Sequence, residues 1–158
     1  MNTDKLLKIP FTWVKRESIL ELLPHKTNVR FAIFCAHQVK HLIPKEHQEV
    51  CLKAIEVVEL FLVGKVTKEE CRKAADAAIS AASYTAYAAK AAAYAANASA
   101  AYASDAAAYA AYAANAANAA FYNNQETIKQ EQMDYLRDLI MAELPEEDKS
   151  CWLLVASL

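Results

Sequence analysis

Six tyrosines between positions 84 and 112 are spaced so that, at about 100° per residue, they share one arc of a helix. They are Tyr84, Tyr87, Tyr94, Tyr102, Tyr109 and Tyr112, and Lys90, Asn97, Ser104, Asp105 and Asn115 fall beside them. Aromatic rings interleaved with amides and a cation offer stacking planes, hydrogen-bond donors and a counter-charge, the chemistry that suits a small nucleotide-like ligand. On this basis Tyr87, Lys90, Tyr94, Asn97, Tyr102, Asp105 and Tyr109 are the candidate ligand-binding residues. Arg30 and Arg72, each near the start of a helix, join them as cations able to hold an anion. The same pattern also serves plain packing, with rings laid on neighbouring helices and hydroxyls in water. Both readings stand at this point.

Other reactive residues give weaker patterns. His37 and His41 are four apart on one helix, a spacing that can place two imidazoles on one metal, yet the glutamate of a metalloprotease motif is missing and the pair reads as a polar face. Glu49, Glu56, Glu59, Glu69 and Glu70 alternate with Lys45, Lys53, Lys65, Lys68 and Arg72 as solvated helix faces do, and no acid/base pair stands out. One glycine cannot build an oxyanion or phosphate loop. No catalytic residue, metal site or cofactor is therefore expected; an enzyme with an unrecognised acid site is the alternative from another class. An ice-binding helix would need a row of threonines, and Thr85 is the only one between Thr67 and Thr127.

The elements that position these residues are helical. Trp13 to Leu23 repeats apolar residues at helical spacing until Pro24; Thr27 or Asn28 can cap a second helix that ends before Pro44; a third runs from there to Gly64, a helix-terminating residue. Thr67-Lys68-Glu69-Glu70 has the form of a capping box. From Cys71 to Ala120, 29 of 50 positions are alanine, with neither Gly nor Pro. Asn123-Asn124 breaks the run, Glu126 to Glu143 is amphipathic, and the apolar tail around Trp152 adds a short helical piece. The fold class expected is all-α: a single domain over 1–158, a helical bundle of N-terminal helices (1–66), an Ala/Tyr-rich helix (67–122) and C-terminal helices (125–158).

Whether 67–122 is one continuous helix or folds back as a hairpin follows from length and coverage. A straight rod of about 55 residues would be roughly 80 Å long, about twice the diameter of a compact domain of this size. Either Ser99 or Asp105 caps a second arm, or the rod stays long and shares its alanine face with another subunit. The common phase of the tyrosines on both sides of Ser99 favours the long helix. A smooth alanine face of that length would also favour a homo-oligomer, with the binding site at or beside the shared helices.

A net charge of −2 and a pI near 6.1 give no general attraction to DNA, RNA or an anionic membrane. The alanine run is interrupted too often to span a bilayer, and no leader-like opening precedes it, so the expected place is the cytoplasm. Cys35, Cys51, Cys71 and Cys151 show no paired spacing and read as free thiols.

Phe31-Ala32-Ile33-Phe34-Cys35-Ala36, then Ala54-Ile55-Glu56 through Leu62-Val63-Gly64-Lys65, then Glu69 to Ala75 and the alanine run follow one another in a distinctive order. From Arg30 to about Tyr122 the chain thereby resembles the Imm-5-like immunity proteins of bacteria and their Ala-rich relatives encoded by phages. Immunity-type relatives carry His and Gly in the alanine-rich part, where this chain has Tyr and Asn, so the identity of a ligand or target does not carry over. The resemblance implies a non-enzymatic protein of biological conflict that blocks a toxin or defence effector protein by binding. The Tyr/Asn face adds a second form of the same role, an anti-defence protein that traps a small nucleotide signal.

Overall fold

Prolines open the two long helices of the first half, and glycine closes the second of them. The computed structural model describes residues 3–6, 8–81, 87–101, 103–121, 123–146, 148, 149 and 152, and among these there is no strand. A short α1 (Thr3–Leu6) and a 3-10 turn (Trp13–Lys15) lead into α2 (Arg16–Leu20) and α3 (His25–Val39). A second 3-10 turn (Lys40–Leu42) separates α3 from α4 (Lys45–Leu62). Pro24 and Pro44 stand at the N-caps of α3 and α4, with φ of −58° and −54°. Their fixed φ suits a helix start. Their carbonyls receive the first bonds, from the amides of Thr27 and Asn28 on Pro24 and of His47 on Pro44.

Thr27 and Asn28 are consequently not the caps of α3 that their residue types suggest. Both lie inside its first turn, buried, where the Thr27 hydroxyl donates to Glu143 and the Asn28 amide to the carbonyl of Leu20. At the far end of α4, Gly64 adopts φ +75°. The Lys65 amide returns to the Leu60 carbonyl and the Gly64 amide to that of Phe61, the paired closure of a Schellman motif. The capping box forms as expected: the Thr67 amide donates to Glu70 over 2.7 Å and the Glu70 amide to the Thr67 hydroxyl over 3.3 Å.

The alanine-rich stretch is not one rod. It makes α5 (Lys68–Ala81), α6 (Tyr87–Ala100) and α7 (Ala103–Ala120), followed by α8 (Gln125–Glu143). Helix α6 packs along both α5 and α7, and α7, which begins at Ala103 just after α6 ends at Ala100, runs back along it antiparallel. The long helix favoured by tyrosine phase is thus replaced by the folded-back arrangement. The reason is the small area of the alanine methyl. Each contributes little burial, so the segment is stable only where other backbones approach on several sides, and α6 finds four: α5, α7, α3 and α4. Ser99 does not cap the second arm, since its hydroxyl bonds back to the Ala96 carbonyl within α6. Asp105 does fall in the first turn of α7.

Two layers result. Helices α5, α6 and α7 lie side by side; α4 covers α5 and α6, α3 covers α6 and α7, and α8 packs on α3 and α7. Bulk sits mostly on the covering elements, with Leu6, Ile19, Leu20, Phe31, Val58, Leu136, Ile140 and Trp152 almost fully buried, against alanines of α6 and α7 that are buried to the same degree. No helix among the described residues is long and apolar enough to cross a membrane.

Candidate functional site

Every residue of α6 from Ala88 to Ala100 is buried except Lys90, Tyr94 and Asn97; with Tyr87 these form one stripe at spacings of three and four. On α7 the corresponding outward positions include Asp105, Tyr109, Tyr112 and Asn115. Both helices turn alanine toward neighbours and covering layer, so both stripes face outward and, the helices being adjacent, meet each other.

Where they meet there is a cleft of about 310 Å³ lined by Tyr87, Lys90, Tyr94, Tyr112, Asn115, Ala116 and Ala119. The Tyr94 and Tyr112 rings stand 5.6 Å apart at 53°, and Tyr109 meets Tyr112 edge-on at 6.2 Å. Lys90 Nζ lies 5.1 Å from the Tyr87 ring centroid, within cation–π range. Beside the tyrosines, Asn115 Oδ1 accepts from Arg16 Nη2 at 3.1 Å. The cleft thus combines three rings, one cation and an amide held from behind.

The sequence candidates divide accordingly. Tyr87, Lys90 and Tyr94 line the cleft; Tyr109 borders it through Tyr112, and Asn97 continues the α6 stripe beyond the lining residues. Asp105 is exposed in the first turn of α7 and is not among them. Tyr102 lies outside the described residues, as does Tyr84. Arg30 is not part of this site: its Nη1 pairs with Glu143 of α8 at 3.7 Å. Arg72 pairs with Glu69 on the outer surface of α5 at 2.9 Å. Tyr112 and Asn115 belong to the cleft but were not among the candidates, although both fall on the tyrosine arc and that shared phase was the available signal. No sequence signal singles out Ala116 and Ala119, which line it only because two helices meet there.

The remaining reactive groups have ordinary partners. His37 Nε2 meets Glu59 at 2.9 Å, and His41 packs against Phe121 with ring centroids 5.7 Å apart. Cys35, Cys51 and Cys71 are free and buried; burial pushes all three thiols above their usual range, Cys35 most strongly. Cys151 lies outside the described residues. Further surface concavities among the described residues include a groove of about 500 Å³ between α4 and α5 and a smaller one beside Phe11 and Trp13.

These features define an all-α, two-layer protein with an aromatic surface cleft between two alanine-rich helices. The family described as "Imm-5 like putative immunity protein" matches residues 18–139, well over half of the chain, and the chain belongs to that family. The match spans α3 to α7 in full and therefore the whole cleft. Comparison with curated proteins and with solved structures returns no match.

Proposed function

We propose that this immunity-family protein neutralises its target by binding, and that what it binds is a small nucleotide-like signal held in the α6–α7 cleft. One observation carries the reading: rings, cation and amide converge on a single concavity, with Tyr87, Tyr94 and Tyr112 around Lys90 and Asn115. A base stacks on the tyrosines, Lys90 faces the phosphate, and Asn115 reads a ring edge. Stacking on one aromatic side chain is worth about 1–3 kcal/mol. Calorimetric titration with mono- and cyclic nucleotides should give saturable binding. Tyr94→Ala and Tyr112→Ala should each weaken it by roughly tenfold or more, the effect of about 1.4 kcal/mol. No heat with any nucleotide in the panel would remove the proposal.

A second reading, direct capture of a toxin or defence effector protein, is favoured by the α4–α5 groove. Its lining is largely apolar, with Val50, Val57, Val66, Ala74 and Ala77 between charged rims, and Leu52 and Ile79 are large exposed apolar side chains on the same two helices. It becomes the leading reading if the nucleotide titrations are silent.

A further inference from the structure

We propose that Arg16 sets the hydrogen-bonding polarity of the cleft by holding Asn115 as a donor, so that the cleft prefers a nucleotide whose base presents carbonyl acceptors over one that presents an amino group. This rests on the nucleotide reading of the cleft and deepens it.

An arginine carries donors and no acceptor. The end of the Asn115 amide that meets Arg16 Nη2 at 3.1 Å is therefore its oxygen, and Nδ2 is the end left to meet a ligand in the cleft that Asn115 lines. A free asparagine reads adenine with both ends, donating to N7 and accepting from the 6-amino group. An asparagine whose oxygen is turned to Arg16 presents its amide hydrogens to the ligand, and these suit the adjacent O6 and N7 acceptors of a 6-oxo purine better than the N7 acceptor and 6-amino donor of adenine.

Arg16 is built to hold that position. It is 3% exposed, and its guanidinium carbon lies 3.9 Å from the centroid of the Trp13 ring. The carboxylate paired with it among the described residues, Glu17, is 3.8 Å away and 65% exposed, too solvated to offset much of the cost of burying the charge. Nε and Nη1 are buried without a hydrogen-bond partner among the described residues. An apolar side chain of similar size would ordinarily suit a packing position better. Beyond its stack on Trp13, what the guanidinium supplies and an apolar residue cannot is the bond to Asn115.

The test compares inosine monophosphate with adenosine monophosphate by calorimetry on the full chain. Wild type should bind the 6-oxo nucleotide about fivefold more tightly, the scale of one net hydrogen bond. Arg16→Lys, still a donor only, should keep that ratio. Arg16→Gln, which can accept as well as donate, frees the amide to turn and should bring the ratio to about one. Both replacements lose the same guanidinium stack, so packing alone would move them together. Should Arg16→Gln fail to fold, Asn115→Asp at an exposed position serves instead: it still accepts from Arg16 but has no amide hydrogen, and the preference should vanish. If wild type binds both nucleotides equally, or Arg16→Lys loses the ratio as Arg16→Gln does, the cleft still binds nucleotide and this inference is overturned. If wild type binds neither, the nucleotide reading falls and the inference falls with it.

Discussion

Lys68 and His25 converge on the C-terminal end of α6 from two different helices. Lys68 Nζ donates to the Ala101 carbonyl at 2.9 Å, and His25 Nε2 donates to the Ala98 carbonyl at 3.0 Å. Carbonyls at a helix C-terminus have no partner within the helix and carry its negative pole, so donors placed there satisfy them. His25 also meets the Phe61 ring edge-on at 5.9 Å. Burial lowers its pKa below the ordinary 6.5; the Ala98 bond raises it, and the charge of Lys68 lowers it again. As pH falls below about 6.5 the unfolded chain takes up the proton before the folded one does. The histidine's contribution to stability is therefore intact above that value, declines as pH falls toward the lowered folded pKa, and is fully lost below it. Urea unfolding between pH 7.5 and 5.0 should show stability falling with acid, and His25→Gln, which can keep the donor without titrating, should flatten that slope. An unchanged slope in the variant would assign the effect elsewhere.

At the scale of elements, the alanine helices are held by closeness and not by area. Ala92 is fully buried on α6, whereas Ala108 is exposed on α7. Ala92→Leu should cost about 1–3 kcal/mol, because added methylenes force packed backbones apart, and Ala108→Leu should stay within about 0.5 kcal/mol of wild type. Equal tolerance in thermal melts would contradict the close packing. Most of the elements were legible from local chemistry: Pro44, the capping box at Thr67 and Gly64 mark helix ends where expected, whereas α3 starts at Pro24 and not at a Thr27 or Asn28 cap, and α2 stops at Leu20, short of the expected Leu23. The break between α6 and α7 was not, because no Gly or Pro signals it and the tyrosine phase runs through it. That phase still found the cleft, for a different reason. Each alanine helix leaves its polar stripe outward, and when two such helices fold against each other the stripes meet as they would along one rod. The role of Arg16 had no local signal, since it arises from a contact with Asn115, 99 positions away in sequence.

For the whole molecule, folding back changes what self-association has to explain. The case for a homo-oligomer began from an apolar strip too long for the short helices to cover, but α6 is covered by α3, α4, α5 and α7 of its own chain. The cleft likewise draws all seven lining residues from α6 and α7 of one chain. On the proposed reading of the cleft, the binding unit is the single 17.5 kDa chain. Titration should give one nucleotide per chain, with a dissociation constant that does not change as protein is diluted from about 50 to about 1 μM, since no subunit interface contributes to the site. Light scattering on the same samples tells whether assembly varies across that range. Affinity that weakens in step with dissociation of a dimer or tetramer would place part of the site on a second subunit and restore assembly as a condition for binding.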